Sequence, residues 1–260
     1  MSHFHVVLPS DSSFNYYPNN TVARYVTKLS DRIRLDGDYE VGLSEIIYPY
    51  SWFNVDNSSG NLWFEIFNIN DTDDETVKCV LKSGFYSDGA RLAKDLTDHI
   101  AEKCDWQQCH VAFGFNPLTR RMTMKLWFAP GTILQMSPEF AAKFGFESVG
   151  PYTEDSYEAE RVLDLNAGVN LLYVYCDIAA YTAVGDTKAP LLRVCHVQGT
   201  HGELVRTIYT HPHYVPVGIR EFDTIEININ TERGLPMPFQ FGKSVVTLHF
   251  RRRHNLLTTT

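Results

Sequence analysis

The sequence predicts a mainly β chain whose sandwich is interrupted by an α+β segment. Three observations carry this. Short runs in which apolar and polar residues alternate fill residues 1–70 and return after about residue 160; helical spacing is confined to two stretches between 76 and 150; and turn residues separate the runs throughout. Of 260 residues, 44% are hydrophobic and 13% aromatic, which supports a buried core and excludes a largely disordered chain. At this length one domain with an insertion fits as well as two in tandem.

In chain order, Phe4–Pro9 is an apolar strand closed by the polar break Ser10–Ser13, and Thr21–Leu29 sets Val22, Tyr25 and Val26 among polar residues. Arg32–Leu35 alternates strictly, and Asp36-Gly37-Asp38 is a turn. In the strand from Tyr39 to Pro49, Tyr39, Val41 and Leu43 share one face, with Glu45 next in phase. The β pattern continues through SWFNV and NLWFEIF. After an acidic loop, DTDDET, the spacing of Leu92, Leu96 and Ile100 predicts an amphipathic helix with Ser87 as N-cap. CHVAFGF and RMTMKLWFA read as two strands joined at Asn116-Pro117. A second helix follows: Ser137 caps it, Pro138 takes its first turn, Phe140 and Phe144 stack one turn apart, and Gly145 ends it. Residues 147–160 are acidic and read as a loop. Strands resume with NLLYVYCDI, LLRVCHV, RTIYTH, TIEININ and KSVVTLHF. The expected division is a core of 1–75 and 151–260 with an α+β insertion at 76–150. About eight strands at this spacing fit an immunoglobulin-like or jelly-roll sandwich, and the absence of a Cys–Trp–Cys signature favours a single jelly-roll β-sandwich.

Charge and motif content exclude several functions. With 23 basic and 31 acidic residues the net charge is -8, the wrong sign for a protein that coats nucleic acid. No apolar run approaches the roughly 18–20 residues of a membrane span, and the N-terminal residues lack a secretory pattern, so a soluble, unsecreted chain is expected. Cys79, Cys104, Cys109, Cys176 and Cys195 form no regular framework and suit reduced thiols. The glycosylation-type triplets at Asn19, Asn57 and Asn70 read as polar turns. His211 and His213, two apart as in the metal-binding motif of cupins, lack the glutamate that would follow, and Pro212 between them argues for a turn. Asp71, Asp73, Asp74 and Glu75 lack the glycine and distal glutamate of a calcium loop. No nucleophile elbow or glycine-rich phosphate loop is present, so no catalytic, cofactor-binding or metal-binding residues are assigned. Two features suit protein contact instead. Lys243, Arg251, Arg252 and Arg253 make the C-terminal end basic, a surface for weak contact with nucleic acid or an acidic partner, and YYP (Tyr16–Pro18) and YPYSWF (Tyr48–Phe53) are rich in aromatic surface.

The opening fifty residues then resemble a known family. Leu8-Pro9-Ser10, Tyr17-Pro18-Asn19, Glu40-Val41-Gly42-Leu43, Glu45-Ile46, Tyr48-Pro49 and Ser51-Trp52 are similar to the N-terminal pattern of the minor capsid, or penton, proteins of Maverick/Polinton elements and adintoviruses, with Tyr39 where that pattern has tryptophan. FDTIEININTERGLPMPFQFGKSVVTLHFRR, NLLYVYCDI with VGDTKAPLLRV, and the GFYS and ILQMSPEFAAKFGF segments of the insertion extend the resemblance over nearly the whole chain. It implies a single jelly-roll capsid protein without enzymatic activity, made in the host cytoplasm with assembly there or in the nucleus. Its place would be the virion vertex, as a homopentamer among trimers of a double jelly-roll major capsid protein. On that reading the candidate assembly contacts are Tyr16, Tyr17, Tyr48, Trp52, Arg251 and Arg252. The rival expectations are a cupin-like metalloenzyme using His211 and His213 and a jelly-roll lectin with Trp or Tyr platforms.

Overall fold

The computed structural model describes residues 3–68, 76–103, 109–128, 131–153, 155–165 and 169–253. The triplet at Asn70, the acidic run Asp71, Asp73, Asp74 and Glu75, and Cys104 lie outside them. In chain order the strands are β1 (His3–Pro9), β2 (Arg24–Arg34), β3 (Tyr39–Pro49), β4 (Trp63–Asn68), β5 (Val77–Val80), β6 (Cys109–Asn116), β7 (Arg121–Phe128), β8 (Thr132–Met136), β9 (Asp155–Glu158), β10 (Leu171–Cys176), β11 (Thr182–Val184), β12 (Thr187–Ala189), β13 (Leu191–His196), β14 (Leu204–Ile208), β15 (Tyr214–Pro216), β16 (Glu221–Asn230) and β17 (Val245–Arg252), with helices α1 (Gly89–Ala101) and α2 (Pro138–Phe144). Contacts divide the chain into Met1–Trp52 with Gly168–Thr260, and Phe53–Ala167. The seams therefore fall at 52/53 and 167/168, outside the expected 75/76 and 150/151. The reason is pairing: β4 bonds to β5 and β8, and β9 bonds to β7, so each end of the second unit reaches further than composition suggests.

The first unit is a jelly roll by topology. One sheet runs β1-β17-β3-β14, with β15 also on β3, and the other runs β13-β10-β16-β2. The first and last strands are neighbours, and the chain crosses between the sheets from β1 to β2, β2 to β3, β3 to β10, β13 to β14, β15 to β16 and β16 to β17, as a rolled-up pair of Greek keys requires. Alternation buries one face of each strand: Phe4 and Leu8 on β1, Leu172, Val174 and Cys176 on β10, Ile225, Ile227 and Ile229 on β16, and Val246, Leu248 and Phe250 on β17 share one core. On β3 the alternation breaks. Leu248 pairs with Leu43 and Thr247 with Glu45, which leaves Ser44 as an extra residue in a bulge, its hydroxyl donating to Thr247 O at 2.9 Å. The bulge shifts the phase, so Ile46 and Tyr48 point inward and Glu45 points out to pair with Arg206. This corrects the expected inward phase of Glu45.

The second unit holds two three-stranded sheets, β5-β4-β8 and β6-β7-β9, and both helices, around a core that includes Phe64, Leu92, Leu96, Met124, Phe140 and Phe144. Helix α2 follows its sequence signals: Ser137 Oγ accepts from Phe140 N at 3.1 Å and Gly145 closes the helix at φ 87°. Helix α1 starts one residue later than expected. Asp88, not Ser87, is its cap, accepting from Arg91 N at 2.8 Å, while Ser87 Oγ donates to the Asp88 carboxylate. Gly89 then lies so close to the Phe115 ring that a Cβ would collide with it. Within the expected loop 147–160, Asp155–Glu158 forms β9. Asn57, read as a polar turn, is buried: its amide donates to Leu62 O and Leu81 O and its oxygen accepts from Leu62 N.

Candidate functional site

On β17 the alternation that buries Leu248 and Phe250 turns His249 and Arg251 outward, and on β1 the alternation that buries Phe4 and Leu8 turns His3, His5 and Val7 outward. Antiparallel register sets His5 directly opposite His249 and His3 opposite Arg251. The three imidazoles meet: His5 and His249 stack at 4.4 Å between ring centroids, and His3 meets His249 edge-on at 5.6 Å. His249 Nδ1 also shares a 2.6 Å hydrogen bond with the Tyr214 hydroxyl of β15. Arg251 pairs with Glu40 of β3 and lies over the Tyr214 ring, its guanidinium carbon 3.5 Å from the ring centre. His3, His5, Glu40, His249 and Arg251–Arg253 line a cleft of about 800 Å³. Partial burial, with His5, His3 and Arg251 as cationic neighbours, holds the His249 imidazole below its ordinary pKa.

A second surface lies at the loop between β1 and β2. Backbone bonds from Tyr16 N and Tyr17 N to Ser13 O tighten the loop, and Asn20 staples it to β2 by exchanging bonds with Val26 N and O. Tyr16 is 70% exposed, Tyr17 is half-buried, and both border a cleft of about 510 Å³ that also contains the Arg24–Glu226 pair at 2.8 Å.

The structure brings only some of the sequence candidates to a surface. Tyr16, Arg251 and Arg252 are exposed. Tyr48 (0% exposed) and Trp52 (2%) are inside the sandwich, packed with Tyr50 and Phe239, and the Tyr48 hydroxyl accepts from Gln198 N at 3.2 Å. Ser51 Oγ donates to Phe241 O at 3.1 Å, so YPYSWF anchors the segment before β17. His211 and His213 are exposed residues of the turn before β15. Among the described residues no group of three or more His, Cys, Asp or Glu is placed to hold a metal ion, and no helix is long and apolar enough to cross a membrane. Cys79, Cys176 and Cys195 are buried and form no disulfide, and burial pushes the Cys176 and Cys195 thiols up, away from nucleophilic reactivity. Sequence reasoning missed the histidine face. Its signals are present, His-Phe-His in β1 and His-Phe-Arg-Arg in β17, but only the pairing of first and last strands joins them.

No protein-family model and no curated protein sequence matches the chain. Among solved structures, the crystal structure of the mavirus penton protein superposes with a TM-score of 0.53 at 13% identity, covering 96% of this chain and 99% of that one. The chain shares its fold with that protein. A chain in the cryo-EM structure of the Sputnik virophage is similar at TM-score 0.49 and 9% identity, over 97% and 98% of the two chains. The penton likeness is one of fold, spanning the inserted unit as well as the jelly roll.

Proposed function

We propose that this chain is a structural capsid protein of a virion: the penton subunit, forming homopentamers at the five-fold vertices of an icosahedral shell. The observation that carries the reading is the match of the whole chain to the mavirus penton fold, insertion included. Jelly rolls alone serve many functions, so it is the shared insertion between third and fourth sandwich strands that narrows the choice. The work is binding. A closed ring needs heterologous contacts, in which one patch of each subunit meets a different patch of the next, over roughly 1,000 Å² or more. Tyr16 and Tyr17 are the sequence candidates whose placement suits such contacts; Tyr48 and Trp52 support the fold from within. The partner in the shell is a double jelly-roll major capsid protein. Co-expression of the two proteins, with averaging of any icosahedral particles, tests this: density for this chain at the five-fold positions is expected, and particles whose vertices lack it refute the reading.

A further inference from the structure

The outer face of β1 and β17 is charged unlike the outer face of the other sheet. Between β2 and β16 each cation has a carboxylate: Arg24 with Glu226 at 2.8 Å, Lys28 with Asp223 at 2.6 Å, and Arg32 and Arg34 with Glu221 at 3.1 and 3.2 Å. In the β1–β17 cleft, three histidines and three arginines face one carboxylate, Glu40, and Arg251 occupies it. Among the described residues, Arg252 and Arg253 have no ion-pair partner. Like charges gathered without counter-ions raise the local potential, and an anion from outside relieves it.

The same face ends in an open edge, since β1 is the terminal strand of its sheet among the described residues. Ser10 N donates to Ser244 O across the β1–β17 pair, and the register runs without a shift. Antiparallel alternation therefore turns the N–H groups of Leu8, Val6 and Phe4 towards β17 and those of His3, His5 and Val7 away from it. A row of outward backbone groups accepts a further strand, and a cationic row of side chains beside it favours an acidic one.

We propose that this face binds an extended acidic polypeptide segment, which adds as a strand along β1 and sets its alternate carboxylates beside His3 and His5 and towards Arg252 and Arg253. A nucleic acid fits less well, because it lacks the amides that pair with a strand edge and because the chain as a whole carries a charge of -8. The site strengthens on acidification. His249 is faced by His3 and His5 from β1, Glu40 from β3, Tyr214 from β15 and Arg251 on its own strand, so protonating the imidazoles adds positive charge to a face with one carboxylate. The inference is independent of the vertex reading, because it concerns binding by the chain in whatever oligomeric state it adopts.

Fluorescence anisotropy with a labelled peptide of about nine residues alternating Glu and Thr tests it on the full chain at low salt. Binding is expected near pH 5.5, weaker by about tenfold or more near pH 7.5 and in the double variant R252A/R253A. Val7→Pro, which removes an outward N–H and leaves the β17 ladder intact, is expected to cost at least about tenfold as well. Should that variant melt early by circular dichroism, His5→Glu, an exposed reversal of charge beside the added strand, is read in its place. Binding no tighter than that of a Lys/Thr peptide overturns the proposal. So do binding unaffected by these variants and tighter binding of a single-stranded DNA of similar length.

Discussion

The bulge at Ser44 makes a sharp prediction about two adjacent isoleucines. Strict alternation from Tyr39 puts Glu45 and Ile47 inward and Ile46 outward; the structure puts Ile46 inward, fully buried between Thr207 of β14 and Val246 of β17, and leaves Ile47 half-buried opposite Arg206 and Val245. Ile46→Ala removes a buried side chain from a sandwich with little room to collapse, a loss of about 2–5 kcal/mol. Ile47→Ala uncovers a side chain that is already part-solvated, at about 1 kcal/mol. Against a total stability of about 5–15 kcal/mol the first is a large fraction and the second is small. Urea unfolding followed by circular dichroism and tryptophan fluorescence reads both, with an unchanged slope confirming that the folded state is the same. Equal losses, or a greater loss for Ile47→Ala, would refute the phase shift and with it the placement of Glu45 at the surface.

Three further outcomes follow from the geometry. Ser137→Ala, which removes both the cap to Phe140 N and the 2.5 Å bond to Asn61 O, is expected to cost about 1–2 kcal/mol by the same assay. Asn57→Ala strips the side-chain partner from Leu62 N and Leu81 O, while Leu62 O keeps its bond from Leu81 N, and is expected to cost about 2–4 kcal/mol, whereas Asn19→Ala at an exposed turn is expected to change little. His249 and His99 are both held below the ordinary imidazole value, chiefly by burial. The unfolded chain therefore protonates first, and their contribution to stability is full above about pH 6.5 and is lost as pH falls through that value towards the folded ones. Melting temperatures between pH 7.5 and 5 are expected to fall, and His249→Gln to flatten part of that slope.

What the sequence reveals depends on how local the deciding interaction is. Helix α2 was legible to the residue because Ser137, Pro138 and Gly145 act within a turn of one another. The jelly-roll strands were legible because alternation is a local pattern. Ser44 was not, since an extra residue in β3 is visible only against the register of β17. Tyr48 and Trp52 read as surface aromatics because the residue that covers them, Phe239, lies far along the chain. The histidine face was hidden for a related reason: His3, His5 and His249 stand at opposite ends of the sequence, and only the closing of the roll brings them within 6 Å.

The central claim is that this chain works as a five-fold ring, and its mass in solution tests that most directly. Light scattering on the protein eluting from a sizing column is expected to give five times the chain mass of 29.7 kDa. A stable dimer or trimer, or a single-chain mass that persists at high concentration and with the major capsid protein present, would contradict it.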